Sequence, residues 1–491
     1  MPEASATLQR LAHRAADGRV AWAVAAPFVA LAAWRAGSSA VWDGDIWWIL
    51  RAGEDALRTH AVPTVNGYAF TSPEHPWVMH EWLYGVGAAM LVRAFGVAGL
   101  ALGRLGAVAL LALAMLWRAG RDARPVVASL AFAVAFEAFG ARWESPRPVG
   151  TVAALAVAAA AVAFDPAFRA RHLVALAAIQ VLWTNVHGSH PLGVAIAACA
   201  AFEPTGDRRA RRAAVLAVAG ATLCNPYGLA MHDLVRRYVL GEGGDSVALV
   251  HERIREWWPL WRHPMRTLST PLELVAALPL AVGAFTALRS PRWRPRGVLL
   301  VLLFTLALRH NRHLQLFGLA SLVLLAAPLE AVLARLSART AATFPLRRAM
   351  AVFAVVGLAT WGAAWVHRPA GEWRDPTHDD EDVAALLDAT PADARVFVTL
   401  FFTGFAIERG VRVFFDTRND CYPYDVLREG FDLDAGKLAP VEAERVLRRR
   451  GVTHALVRCD GAARTAFAGW TLGGRRGAYC LLRATEERAE P

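Results

Sequence analysis

Two aspartates stand one residue apart in "VWDGDIWWILRAGE", residues 41–54, among Trp42, Trp47 and Trp48. Carboxylates so placed have two chemistries: one can take a proton from an attacking hydroxyl or amine, or both can hold a divalent cation such as Mg or Mn through oxygen ligands. Three other short stretches carry groups of the same kind. His80 and Glu81 open "HEWL", His187 and His190 sit in "HGSHP", and "RHNRH" at 309–313 crowds Arg309, His310, Arg312 and His313 together. Arg142 and Arg147 in "RWESPRP" add guanidinium groups, which bind phosphate oxygens through paired hydrogen bonds and stay charged near lipid. Each stretch taken alone has a plainer role. The acids cap an amphipathic helix whose tryptophans lie at the headgroups, single arginines snorkel to the interface, and a histidine pair without a third ligand fixes a loop.

The elements that must position these residues are apolar. Of 491 residues, 56% are hydrophobic and only 19% charged, with a mean hydropathy of +0.32, which points to a multi-span membrane protein. The net charge of +11 lies in short clusters between Ala/Leu/Val segments and forms no continuous basic face, so nucleic acid is not an expected partner. Lys437 is the sole lysine, and its "AGKLAP" setting excludes a Walker-type phosphate loop. No C-x-x-C pair occurs among Cys199, Cys224, Cys421, Cys459 and Cys480. A Cys459–Cys480 disulfide and free thiols are both open at this level.

A helix crosses the hydrocarbon core with about twenty apolar residues, fewer where the bilayer thins. Eleven spans are expected, near 20–36, 98–117, 126–140, 149–164, 173–187, 190–203, 213–230, 271–288, 298–309, 313–333 and 348–366. With a cytoplasmic N-terminus, the arginine-rich segments 118–125, 165–172, 207–212, 288–297 and 334–348 all fall inside, as the positive-inside rule requires. Residues 81–96 would break that pattern as a span and are read as an interfacial or re-entrant helix. The acid pair, "RWESPRP", "HGSHP", residues 225–270 and "RHNRH" then share the outer side. The transmembrane domain is expected over 1–366, with its first outer loop at 37–97.

Residues 367–491 change character. "RVFVTLFF", "VRVFFDTR", "THALVRC" and "GAYCLLRA" read as strands, and "PVEAERVLRRRG" ends as a helix does, with arginines and a glycine, giving a small extracytoplasmic α/β domain. Asp416 and Arg418 read as an internal ion pair, and the domain as structural or substrate-guiding. It lacks the glycine signatures of dinucleotide sites and the elbow of hydrolases.

The order of "D-x-W-W", "HEWL", "TNVHG" (184–188) and "NPYG" (225–228), with "RWESPRP" between, resembles the GT-C superfamily of integral-membrane glycosyltransferases over most of 20–330. Ile49 stands where such loops lead one to expect a histidine. The resemblance implies a mostly α bundle in the bacterial inner membrane that moves a hexose or pentose, with inversion, from a polyprenyl-phosphate donor to a lipid, glycan or protein acceptor. In that reading Asp43, Asp45 and Glu81 are catalytic, with the aspartates as general base or as ligands of Mg or Mn. Arg142, Arg147, Arg309 and Arg312 bind the donor phosphate, and His80, His187 and His310 orient substrate. Such a site predicts that Asp45, Glu81, Arg142 and either His310 or Arg312 converge. The rival is a non-enzymatic transporter, flippase or structural protein with an exported domain, although no inverted repeat or mid-span charge of the transporter kind is evident.

Overall fold

A computed structural model describes residues 43–122, 145–241, 244–262, 271–339 and 377–485, together with Ala30 and Phe139. The spans expected at 20–36, 126–140 and 348–366, the boundary expected at 366–367 and Arg142 lie outside these residues. Each of the other expected spans has a helix at its place. The helices are α1 (Asp45–Thr59), α2 (Trp82–Phe95), α3 (Gly99–Asp122), α4 (Val149–Ala163), α5 (Ala170–Val186), α6 (Pro191–Ala200), α7 (Arg208–Ala221), α8 (Leu229–Leu240), α9 (Gly244–Arg253), α10 (Pro271–Leu288), α11 (Arg294–Arg309) and α12 (Leu314–Arg339). Among the described residues, only the stretch Trp82–Met115 is long and apolar enough to cross a membrane, with mean hydropathy 2.0; Val149–Ala163, Pro191–Ala200 and Val275–Leu288 are apolar but shorter.

Two boundaries differ from expectation for local reasons. The helix expected at 213–230 starts earlier, because Asp207 accepts the Ala210 amide at 3.0 Å and so caps α7 within the basic run. It also ends earlier. Asn225 binds the Tyr227 amide through Oδ1 at 2.9 Å and donates to the Thr222 carbonyl at 2.9 Å, turning the chain before α8. The surface helix expected at 81–96 adjoins the next span through a 3-10 turn, Gly96–Ala98, with Gly96 at φ 63°. The turn brings α3 against α2 so closely that a Cβ on Gly99 would lie 2.3 Å from the Leu91 carbonyl oxygen.

One core is the bundle itself, where alanine and leucine of α3, α4, α10, α11 and α12 close around Trp183 and Phe317. At one end, the buried Arg296 donates to Glu203 at 2.9 Å and Arg211 donates to the Asp165 carbonyl at 2.6 Å, so three of the basic segments meet there. The acid and histidine motifs gather elsewhere, beside a second core.

That second core joins the first loop to the C-terminal region. The C-terminal helices are α13 (Thr377–Asp388), α14 (Thr403–Glu408), α15 (Tyr424–Asp434) and α16 (Pro440–Arg450). They pack with a sheet of β1 (Val396–Val398), β2 (His454–Arg458), β3 (Thr471–Arg476) and β4 (Tyr479–Arg483), ordered β1-β2-β4-β3. β1 runs parallel to β2, and the other pairs are antiparallel. The run "VRVFFDTR" forms no strand of its own. Val413 instead makes single bridges to Val396 and to Ala69 of the first loop. Cys459 and Cys480 form a disulfide, with Cα atoms 5.2 Å apart. Ile46, Trp48, Ile49, Leu50, Trp77 and Met79 share this core with Phe397, Phe414 and Leu456, so the apolar face of α1 is buried in protein and not laid among headgroups.

Candidate active site

Arg147 is the centre of the acid cluster. It stands between Pro146 and Pro148, where α4 begins, and each end of its guanidinium meets a different carboxylate. Nε lies 2.8 Å from Asp43 Oδ2, Nη1 donates to Asp45 Oδ2 at 2.7 Å, and Nη2 donates to Glu256 Oε1 at 2.6 Å. Asp43 is also fixed by the Asp45 amide at 3.0 Å and by the Ser145 hydroxyl at 2.6 Å. Burial raises the pKa of Asp45, Arg147 pulls it back, and Asp43 and Glu256 add to the rise, leaving it above the ordinary aspartate value. Burial disfavours the charge on Arg147, but the three acids outweigh it and hold the guanidinium firmly protonated.

The motifs quoted above are bonded to one another. Trp82 of "HEWL" donates its indole N–H to Asn185 Oδ1 of "TNVHG" at 2.8 Å, and Asn185 Nδ2 donates to the Cys224 carbonyl, next to "NPYG", at 2.8 Å. This tie brings His80 and His187 to Glu81: their Nε2 atoms lie 3.6 Å and 3.7 Å from Glu81 Oε1, with the rings 5.5 Å apart. Burial, with Asp45 adding and Arg147 and Arg312 opposing, pushes Glu81 up to about 8. Burial and the Arg312 charge push His80 down to about 4, against a backbone contact at Val78. His187 is likewise depressed, by burial and then by His80 and Arg312. Burial therefore favours the uncharged form of all three groups.

Arg312 lines the same cavity as His187 and Glu256. Its guanidinium lies 4.7 Å above the Trp257 ring. This cavity, of about 50 Å³, is lined by the polar side chains of His187, Ser189, Glu256, Arg312, His313 and Gln315 and by the apolar ones of Val149, Val152, Ala153, Leu192 and Leu316. The segment "RHNRH" is docked on "HERIREWWP": Asn311 N donates to the Trp258 carbonyl at 3.1 Å, and His310 Nδ1 donates to the Trp257 carbonyl at 2.7 Å.

Asp43, Asp45, Glu81, His80, His187, Arg147 and Arg312 therefore come together. His310 instead packs against His251 and Trp257, with ring centroids 5.0 Å and 5.1 Å away, and Arg309 is exposed at the end of α11 beside them. Neither lines the cavity. Arg147, expected at a donor phosphate, is bound to three carboxylates. An ion at Asp43 and Asp45 would have to displace that guanidinium, so this acid pair does not fit Mg or Mn as it stands. Ligand atoms of His80, Glu81 and His187 do lie within 4.8 Å of one another, and two imidazoles with one carboxylate suit zinc better than Mg or Mn. However, the Ser189 amide donates to His187 Nδ1 at 3.0 Å, which leaves the ring proton on Nε2, facing Glu81. A zinc-binding histidine has the reverse arrangement, so this trio also does not fit as a ready ligand set. One participant was not singled out from the sequence, Ser145, an ordinary hydroxyl distant in the chain from the Asp43 carboxylate it touches, and no local pattern marks it.

No family model and no curated protein sequence matches the chain. Solved structures do. The archaeal oligosaccharyltransferase AglB from Archaeoglobus fulgidus, in complex with an inhibitory peptide and a dolichol-phosphate, aligns with TM-score 0.56 at 11% identity over 88% of this chain and 69% of that one. The same enzyme in complex with Zn and sulfate aligns with TM-score 0.56 at 12% identity over 91% and 67%. ArnT from Cupriavidus metallidurans, bound to undecaprenyl phosphate, aligns with TM-score 0.53 at 14% identity over 95% of this chain and 99% of that one. Both are GT-C glycosyltransferases, and the GT-C fold is the fold of this chain.

Proposed function

We propose that the protein is a membrane glycosyltransferase that moves a sugar from a polyprenyl-phosphate donor to an acceptor on the extracytoplasmic side, with Asp45 as general base. The observation that carries this reading is the cavity that Glu256, Arg312 and His187 help to line: its lining combines charged and polar side chains with apolar ones, as a phosphate on a lipid tail requires. Arg312 binds the donor phosphate. The acceptor hydroxyl or amine gives its proton to Asp45 as its oxygen or nitrogen attacks the anomeric carbon; the bond from that carbon to the phosphate oxygen breaks, and the charge left on the lipid phosphate meets Arg312. Attack opposite the leaving group inverts the anomeric centre. Arg147 keeps Asp45 ionised, while burial and the neighbouring acids make it a stronger base than a solvated aspartate. Asp43 holds the first turn of α1, and Glu81, His80 and His187 orient the acceptor.

A bilayer setting fits the bundle's outer surface. Val275, Leu278, Val282 and Phe285 form an apolar stripe on α10 that is half or more exposed. The Cys459–Cys480 disulfide fits an exported C-terminal domain, and the arginine segments gathered away from the acids fit a cytoplasmic end.

Mass spectrometry of lipid-linked sugars and surface glycans tests the proposal in a deletion strain. A polyprenyl-phosphate sugar should accumulate while one glycan loses that sugar, and wild-type protein should reverse both. Unchanged donor and glycan pools contradict it.

A further inference from the structure

The cavity beside the acid cluster is lined by the starts of three helices. Val149 and Val152 come from the first turn of α4, Ser189 and Leu192 flank the start of α6, and Gln315 and Leu316 belong to the first turn of α12. A helix carries about half a positive charge at its N-terminus, so three such ends at one cavity favour an anion. The Arg312 guanidinium adds a full charge, and the acid of the lining, Glu256, is answered by Arg147, which donates to its Oε1 at 2.6 Å.

Gln315 supplies the group that asks for a ligand. It is 3% exposed and lines the cavity, and among the described residues its buried Nε2 has no hydrogen-bond partner. Folding has taken this amide N–H out of water without giving it an acceptor, which destabilises the protein. Its polar neighbours in the lining are differently placed. The Ser189 hydroxyl accepts the Trp183 indole N–H at 3.0 Å and lies 2.9 Å from His187 Nδ1, which also accepts the Ser189 amide at 3.0 Å. Gln315 is left as a neutral donor at a cavity whose helix ends and guanidinium favour negative charge.

We propose that Gln315 is a binding residue of this cavity, donating its amide N–H to an oxygen of a phosphoryl group seated between the three helix starts and Arg312. The inference rests on the lipid-linked donor of the proposed transfer and deepens it. Apolar side chains of the same lining, Val149, Val152 and Leu316 among them, assign the phosphoryl group to a polyprenyl phosphate and not to free phosphate. Gln315 therefore lowers the stability of the ligand-free protein and raises its affinity for the lipid phosphate, two effects that a purely structural glutamine does not combine.

The test titrates full-length protein in lipid nanodiscs with geranylgeranyl phosphate, with geranylgeraniol, which is the same chain without the phosphate, and with inorganic phosphate, and follows the apparent Tm without ligand. Gln315→Met and Gln315→Leu, apolar and close in size, should raise that Tm by about 1–3 °C. Both should weaken geranylgeranyl phosphate by about 10- to 100-fold, the range for a hydrogen bond to a charged group, and leave geranylgeraniol unchanged. Inorganic phosphate should bind wild type at least about 10-fold more weakly than the lipid phosphate, and equal affinity overturns the polyprenyl assignment. Wild-type affinity for geranylgeranyl phosphate in the variants, or equal weakening of the alcohol, overturns the role of Gln315. A loss of stability in both variants overturns it too, since the amide would then be bonded within the protein; where only one loses stability, the other carries the test. Arg312→Met run in parallel separates the two claims. Weak binding by R312M with wild-type binding by Q315M removes only Gln315, whereas wild-type binding by R312M removes the phosphate seat of the proposed transfer and Gln315 with it.

Discussion

Replacing Arg147 by methionine leaves three carboxylates facing one another without their shared cation. The three contacts, at 2.8, 2.7 and 2.6 Å, come from three different nitrogens, so one side chain satisfies Asp43, Asp45 and Glu256 at once. Removing one partner of a buried ion pair costs about 3–5 kcal/mol. Because 25% of the Arg147 side chain and 33% of Glu256 remain exposed, water recovers part of that, and a loss near 3 kcal/mol is expected at pH 7.5. Lysine should not rescue it, since one ammonium cannot reach all three oxygens in the same geometry. The sign of the pH dependence follows from the acids left behind. Without Arg147 nothing of its strength opposes the burial that raises Asp45, so the penalty is present at neutral pH and fades as pH falls and that carboxylate protonates. Thermal and denaturant unfolding of R147M and wild type from pH 8 to pH 5 measures this, and the gap between the two should close toward the acid end. Adding Asp45→Asn to R147M should recover stability, with a coupling above about 1 kcal/mol. A loss that does not vary with pH, or additivity of the two substitutions, refutes the shared-cation account.

Three other outcomes follow from the same geometry. Glu81 is raised from 4.5 to about 8 on folding, so its contribution is full below pH 4.5 and is lost as pH climbs through about 8. Glu81→Gln, neutral at every pH, should flatten the melting curve of wild type over that window, and an unaltered pH dependence contradicts the assignment. Gly44→Ala places a methyl 2.4 Å from the Phe401 carbonyl oxygen, an overpacking cost of about 1–3 kcal/mol, and limited proteolysis should cut the C-terminal domain faster in the variant. Reducing Cys459–Cys480, whose sequence separation is 21, should cost about 3 kcal/mol, and maleimide-PEG should label both thiols only after reductant.

What the sequence disclosed was chemistry concentrated in short stretches. The acid pair, "HEWL", "TNVHG" and "RHNRH" are recognisable because they interrupt apolar segments, and a shared side for them followed from where the arginines fell. The partners within the site were not legible. Arg147 reads as a cation available for phosphate, since nothing local reveals that Glu256 and the aspartates claim it; the same is true of Arg309 and His310, whose placement depends on the fold of 251–258. The docking of the tail was invisible for a related reason. Trp48 and Thr417 are 369 residues apart, and the amphipathic face of α1 looks the same whether lipid or protein covers it. β3 was missed because "TLGGRR" has neither alternation nor β-branched residues beyond its first threonine, and it is mostly exposed at the sheet edge.

Single-turnover transfer by Asp45→Asn in nanodiscs, from a prebound polyprenyl-phosphate sugar to acceptor membranes, probes the role of Asp45 most directly. Loss of a general base predicts a rate about a thousandfold below wild type with donor binding retained. Transfer at the wild-type rate by a folded D45N would contradict it.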